Sequence, residues 1–175
     1  SITTPTSYGR SDGSTGGCSP APCVPSINVG TLSLNATGSA SFGGTVAIGS
    51  GTLTTGGSID LSGPFSATSA NFDAGGTLTS SGSLTIDTAT LTAAGALSLN
   101  GSTSLGTATL NGSSIALSGP FSADAATFNA TGTITSSVSI NANTMTLNAG
   151  GSITSTGSID VTNSTTFNAD SIVLS

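Results

Sequence analysis

The feature that most constrains this chain is a pattern of about 19 residues, repeated along most of its length. Cutting the sequence after its Gly, Ser and Asn turn signals divides each repeat into units of about six, six and seven residues. Such repeats are typical of solenoids, in which each repeat packs only against its neighbours. The repeats are 39–57, 58–76, 77–95, 96–113, 114–132, 133–151 and 152–170, of which 96–113 is one residue short.

Apolar residues recur at the same places in successive repeats. One position of the first unit holds Ala40, Ile59, Leu78, Leu97, Ile115, Ile134, Ile153 and Ile172. The second unit has Val46, Phe65, Leu84, Thr103, Phe121, Ile140 and Ile159, and the third has Leu53, Phe72, Leu91, Leu110, Phe128, Leu147 and Phe167. We expect every phenylalanine to point inward. The near-identical stretches SIDLSGPFS (from Ser58) and SIALSGPFS (from Ser114) are then the same unit, three repeats apart.

Each unit alternates apolar and polar residues, which is the pattern of a strand with one buried face. Three such units per repeat predict an all-β fold, a three-sided parallel β-helix of about 19 residues per coil and 7–8 coils. The general crossover preference makes it right-handed. We expect a polar, Gly- and Ser-rich N-terminal tail at 1–19 and a single solenoid domain at 20–175.

The charge balance disfavours several classes of partner. The chain has no His, its only basic residue is Arg10, and its net charge is −6. Binding to nucleic acid or anionic lipid needs clustered Lys and Arg, so neither is expected. No apolar run reaches the 18 or more residues of a membrane span, so no membrane insertion is expected.

Catalysis and metal binding are also disfavoured. Only Asp could act as a general acid or base near neutral pH. The aspartates of the repeats are scattered over different units and turns, so the register brings no pair together: Asp60, Asp73, Asp87, Asp124, Asp160 and Asp170. Calcium-binding repeats place Asp in Gly-rich turns, but here such aspartates are isolated. We therefore expect no enzymatic activity, no bound metal and no cofactor.

A double file of Thr and Asn is predicted on the outside of the third unit. It would expose regularly spaced hydroxyls and methyls and could contact ice or a glycan, or the surface of a host or another cell. The alternative is purely structural, since Thr favours strands and stacked Asn residues form hydrogen-bonded ladders. The candidate binding residues of this double file are Thr90, Thr109, Asn111, Thr127, Asn129, Thr146 and Asn148.

The two ends of the repeat region complement each other in register. The chain closes with the apolar strand SIVLS (171–175), and residues 26–38 fit the second and third units of a following coil. A partner's 171–175 followed by 26–38 would complete one coil, which predicts head-to-tail stacking of the protein with itself. The expected stacking residues are Ile27, Val29, Leu32, Leu34, Ile172 and Leu174. Alternatively, PAPCVP (20–25) supplies a first unit blunted by proline, and 171–175 continues into further chain.

The N-terminal region carries two further predictions. Cys18 and Cys23 are close enough in sequence to form a disulfide, which would fit an extracellular setting. Residues 1–19 are either a loose tail or a strap along a neighbouring subunit, anchored by Tyr8 and Arg10. The start at Ser1, without a signal sequence, is typical of a processed product or a fragment.

Five Asn-X-Ser/Thr sequons make glycosylation an open question, although most such matches are expected from composition alone. They are at Asn35, Asn100, Asn111, Asn129 and Asn163.

Repeats such as TLTSSGSLTIDTATLTAAG (77–95) and TITSSVSINANTMTLNAGG (133–151) resemble the shaft repeats of filamentous-haemagglutinin-type adhesins of two-partner secretion. The resemblance covers about 39–170 and implies a secreted bacterial surface protein of right-handed β-helical form. The Asn-Pro-Asn motifs of that family's secretion domain do not occur in the sequence.

The sequence thus predicts a secreted, non-catalytic structural protein that stacks into a filament of a surface appendage, matrix or sheath. A shaft segment of a larger adhesin is the alternative, and ice or glycan binding is a third hypothesis.

Overall fold

A computed structural model describes residues 26–175 and shows sixteen parallel-paired strands in two sheets. The long strands are β1 (Ser26–Ala36), β3 (Thr45–Thr55), β5 (Phe65–Ala74), β7 (Leu84–Ala93), β9 (Thr103–Gly112), β11 (Phe121–Ala130), β13 (Ile140–Ala149) and β15 (Ile159–Asn168). The short strands are β2 (Ala40–Phe42), β4 (Ile59–Leu61), β6 (Leu78–Ser80), β8 (Ala96–Leu99), β10 (Ser114–Leu117), β12 (Ile134–Ser136), β14 (Ser152–Ser155) and β16 (Ser171–Leu174).

The odd-numbered strands form one eight-stranded sheet and the even-numbered strands form the other, each in coil order. Pairing follows the repeat, for example Ile59 with Leu78 and Ile115 with Ile134. The predicted all-β solenoid of 7–8 coils is therefore confirmed. Its right-handed winding stays a prediction of the crossover rule.

The sequence predicts three separate strands per coil, whereas the second and third units are one continuous long strand with a corner inside it. In β5, Phe65 is buried, Thr68 and Ser69 are both exposed, and Phe72 is buried. The strand turns at these two consecutive exposed residues. At this corner, one residue of each long strand from β3 to β13 is left out of the pairing with the next strand. The cross-section keeps three sides. The first side is the short strands, and the second and third sides are the two arms of the long strands.

The core is the stack of aligned apolar columns that the repeat predicts. Leu53, Phe72, Leu91, Leu110 and Phe128 are completely buried along the third side. All the phenylalanines point inward as expected, although Phe167 in the last coil is only partly buried. Phe65 contacts Phe72 edge to face at 5.0 Å between ring centroids, and Phe121 contacts Phe128 at 5.3 Å. The near-identical stretches from Ser58 and Ser114 thus each begin a coil whose core contains a contacting pair of phenylalanines.

Hydroxyls buried in the core are satisfied by the turns beside them. Ser80, Ser136 and Ser155 lie in the first-side core, where most coils carry Leu or Phe. Each hydroxyl donates to the carbonyl two residues further on, at 2.9–3.3 Å. Thr55 does the same at 2.9 Å. Because each polar group has a partner, the narrow core tolerates them.

Two irregularities interrupt the repeat. The short repeat loses its residue in a turn, because β9 ends at Gly112 and β10 starts at Ser114. In the last long strand, Ala142 pairs with Val161 but Thr144 pairs with Ser164, so β15 has an extra residue at its corner. This bulge was not predicted from the sequence.

Candidate functional site

The aspartates of the described residues do not cluster into a catalytic or metal-binding site. Asp60 accepts a hydrogen bond from Ser41 at 3.5 Å, and Asp124 accepts one from Asn143 at 3.1 Å. No group of three His, Cys, Asp or Glu side chains in 26–175 is placed to hold a metal ion. The candidate surfaces are therefore the third side of the solenoid and its two ends.

The outer surface of the third side carries two files of side chains. The Thr file is Thr52, Asn71, Thr90, Thr109, Thr127, Thr146 and Thr166, and the Asn file is Thr54, Asp73, Thr92, Asn111, Asn129, Asn148 and Asn168. Thr90 is exposed, while Thr109, Thr127 and Thr146 are half-buried between their neighbours. The structure thus brings all seven predicted face residues onto one surface, as the register implied.

The Asn file is a continuous hydrogen-bonded ladder. Asn168 Nδ2 donates to Asn148 Oδ1 at 2.7 Å, Asn148 to Asn129 at 2.8 Å, and Asn129 to Asn111 at 2.9 Å. Asn111 then donates to Thr92 Oγ1 at 3.2 Å. Every bond points the same way, so Asn168 Oδ1 accepts no side-chain hydrogen bond among the described residues. The Asn file thus forms a hydrogen-bonded ladder of the kind that the structural alternative describes.

An open groove of about 1000 Å³ follows the ladder at the corner between the third and first sides. Its lining includes Asn111, Asn129 and Asn148, with small residues such as Gly112 and Ala130 beside them. No sequence motif predicts this groove, because it depends on the small volume of the residues in the turn.

A second feature that the sequence analysis missed is a buried column of small residues at the start of the third side. Ala70, Ala89, Ala108 and Ala126 are at most 4% exposed, and Met145 continues the column. Alternation counted back from the third-unit apolar column would have found it. These residues hold the Thr file close to the core.

The C-terminal end presents an apolar edge. Ile172, Val173 and Leu174 of β16 are 45%, 49% and 53% exposed. Ile172 continues the first-side core column beyond Ile153, with which it pairs. The outer edges of β15 and β16 pair with no other strand in residues 26–175.

At the other end, β1 and β2 are the outer strands of the same two sheets. Val29 is 41% exposed, while Ile27, Leu32 and Leu34 are partly buried. All six expected stacking residues thus lie in the terminal coils. Cys18, Cys23, Tyr8, Arg10 and the segment 20–25 lie outside the described residues, so the disulfide, the strap and the proline-blunted edge stay predictions.

The sequons occupy different environments. Asn35, Asn100 and Asn163 are exposed. Asn111 and Asn129 are half-buried and use Nδ2 in the ladder, which leaves each one N–H for other partners.

The fold and its surfaces define the chain as a β-solenoid repeat protein. Residues 27–101 match the family model of the haemagglutinin repeat, and residues 123–175 match a family of repeats of unknown function. The resemblance to filamentous-haemagglutinin-type shaft repeats is confirmed. No curated protein and no solved structure matched the chain.

These findings fit a structural, adhesin-like shaft segment, and haemagglutinin repeats are typical of secreted or cell-surface adhesins. Within the described residues there is no helix long and apolar enough to cross a membrane.

Proposed function

We propose that this protein is a non-catalytic, secreted structural subunit whose solenoids stack head to tail into an extracellular filament. The observation that carries the proposal is the complementarity of the edge strands. Sheet order ends with β15 and β16 at one end and with β1 and β2 at the other. In a filament, β15 would pair with the partner's β1, and β16 with the partner's β2.

The core columns would continue through this junction. In the register of the solenoid, Ile159 faces Ile27 of the next copy, Phe167 faces Leu34, and Leu174 faces Phe42. Covering the exposed Ile172 and Leu174 removes apolar surface from water, which contributes about 25 cal/mol per Å². The unpaired backbone of both edges would also gain partners.

Two details support this register over junctions in which the strands are shifted along each other. Asn168 Oδ1 would accept from Asn35 of the next copy and extend the ladder in the same direction. The extra residue of β15 lies at its corner, opposite Gly30 of that copy. Because glycine has no side chain, Gly30 would bring no Cβ into the space of that bulge.

A cross-linking experiment tests the junction. Cα atoms of directly paired residues in neighbouring parallel strands are about 4.8 Å apart, within disulfide range. We expect the variant Asn35→Cys/Asn168→Cys, in a Cys18→Ser/Cys23→Ser background, to give covalent dimers and higher oligomers on mild oxidation. The two positions are seven coils apart within one chain, so they cannot close on themselves.

The matched control moves one cysteine to the exposed turn residue Asn100, leaving Asn35→Cys in place. It should remain largely monomeric on non-reducing gels. If the two variants form covalent oligomers at the same rate, the proposed junction is wrong. Electron microscopy of the wild-type protein should show unbranched filaments with an axial repeat of about 38 Å, from eight coils of about 4.8 Å.

A shaft segment of a longer adhesin is the second candidate, supported by the haemagglutinin-repeat match over 27–101. In that arrangement, the coils that cover β1 and β16 come from the same polypeptide. The intact mass of the protein from its native source distinguishes the two, because a mass far above 16.5 kDa favours the longer chain.

A further inference from the structure

The Thr file is more uniform than the composition of the chain explains. Threonine occupies six of its seven positions, interrupted only by Asn71. The equivalent outward column of the second side holds a single threonine in Ala47, Ser66, Thr85, Ser104, Ser122, Asn141 and Asp160. Both columns lie on the same long strands, so a general preference of strands for Thr does not account for the difference.

Beside the Thr file runs a parallel column of small residues, of which all but Ala125 carry a hydroxyl. It is Ser50, Ser69, Thr88, Thr107, Ala125, Thr144 and Ser164. Each member lies two residues before its partner in the Thr file, and the buried small-residue column lies between them. The result is a two-dimensional array with spacings of about 4.8 Å between coils and about 6.6 Å along each strand.

The hydroxyls of this array remain available to a partner. On the described third side, the side-chain hydrogen bonds run along the Asn file, and none involves the Thr file. Threonine has a restricted χ1, so each hydroxyl and methyl is held in a defined direction. No ionisable side chain lies in either column, from Ser50 to Thr166.

The shape of this surface favours an extended partner over a small molecule. Binding sites for small molecules are concave, and three grooves of the described residues lie away from the Thr file, which lines none of them. An array of hydroxyls and methyls with two fixed spacings matches a surface that is itself periodic. The surface also lacks aromatic side chains, because the phenylalanines of residues 26–175 point into the core. A stacking platform for sugar rings is therefore absent from this side.

We propose that the Thr file and its parallel Ser/Thr column form an ice-binding face. The array repeats at fixed spacings along and across the coils, as the oxygen atoms of an ice surface do. Methyl groups would hold water in cages, and hydroxyls would anchor that ordered layer to the crystal. The rigid backbone ladder beneath preserves the spacing, so little conformational entropy is lost on binding.

The test compares matched tyrosine variants in assays of thermal hysteresis and ice recrystallisation inhibition. Wild-type protein should show both activities. Thr109→Tyr/Thr127→Tyr places two bulky rings in the middle of the array, and activity should fall to the level of buffer. The control, Thr85→Tyr/Ser104→Tyr, puts the same rings on exposed positions of the second side of neighbouring coils and should retain wild-type activity.

Circular dichroism and thermal unfolding of both variants establish that each remains folded. Absence of activity in the wild-type protein would overturn the proposal, as would equal activity in the two folded variants. Retention on crystalline cellulose or chitin without any effect on ice would assign the face to polysaccharide instead. The engineered disulfide between positions 35 and 168 does not involve this face, so failure here leaves the filament proposal standing.

Discussion

At the scale of single residues, close approach of successive coils explains several of the glycines. The turn after each short strand stacks directly on the same turn of the previous coil. A Cβ on Gly63, Gly82, Gly101 or Gly119 would clash with backbone carbonyl oxygens of that turn. In most coils, both residues of the turn donate their N–H to one carbonyl of the preceding coil, as Asn100 and Gly101 do to Ser80.

Val138 shows what a side chain does at this position. It occupies the place of these glycines in its coil, and its N–H turns to the hydroxyl of Ser136 at 3.4 Å. Its neighbour Ser137 keeps the bond to the previous coil, to Leu117 at 3.1 Å. The coil with Val138 thus makes one inter-coil hydrogen bond at this turn instead of two, as does the next coil, where Thr156 donates to Ser136.

We predict that Gly101→Ala lowers the free energy of unfolding by about 1–3 kcal/mol, because the added Cβ forces the turns apart. Chemical denaturation measures the change. The control is Gly43→Ala, where the nearest atom to a built Cβ is Ser62 Oγ at 3.8 Å. An equal loss of stability in both variants would contradict the explanation by close approach.

At the scale of elements, the long strands obtain part of their register from the Asn ladder. Pure backbone pairing in a parallel sheet would allow slippage, but a slip would separate the amides and expose the apolar columns. The ladder begins at Thr92 and runs to Asn168, and the preceding coils carry Thr54 and Asp73 in the same file. The Asn ladder therefore supports the register from Thr92 onward, whereas the first coils are joined by other side-chain hydrogen bonds, such as that from Thr77 to Ser58 at 3.0 Å.

Replacing Asn129 with Ala should remove two ladder bonds, one to Asn111 and one from Asn148. At a net contribution of about 0.5–1.5 kcal/mol each, the expected loss is about 1–3 kcal/mol in the free energy of unfolding. Asn141→Ala is the matched control, because Asn141 is exposed and makes no side-chain hydrogen bond within 26–175. That variant should stay within about 0.5 kcal/mol of wild type. Indistinguishable denaturation curves for the two variants would show that the ladder adds nothing.

At the scale of the whole molecule, the solenoid is a stack in which each coil contacts mainly its two neighbours. Pairing joins only successive coils in both sheets. Stability is then expected to be close to a sum of coil and interface contributions. This organisation also explains why an open end can accept another coil without rearrangement of the rest.

Deletion of 77–95 tests this modularity. The cut removes one coil and places Leu97 where Leu78 stood, so every core column remains in register. We expect a folded protein with unchanged β-sheet circular dichroism and a denaturant m-value lower by about an eighth, in proportion to the surface exposed on unfolding. The comparison is deletion of 77–86, which leaves third-side residues directly after a turn and should destroy the cooperative transition. A cooperative transition in the second variant would contradict the modular model.

The sequence by itself determined the coil length, the inward columns and the location of the Thr and Asn files. A parallel stack repeats one set of contacts in every coil, so a periodic sequence records most of its contacts locally, as the pairing of Ile59 with Leu78 illustrates. The positions Phe65, Phe72, Phe121 and Phe128 could be read directly from that period.

Only the tertiary structure decided how the second and third units join, where the extra residue of β15 lies and which of the two files forms a hydrogen-bonded ladder. Both the corner inside each long strand and the bulge at Thr162–Asn163 contain a residue that is left out of the backbone pairing. The alternation of apolar and polar residues does not specify which residue is left out. Likewise, Thr and Asn are both outward and polar in sequence. Their difference emerges only in the structure, where neighbouring coils bring Asn amides within hydrogen-bonding distance of each other and no side-chain hydrogen bond among the described residues involves the Thr file.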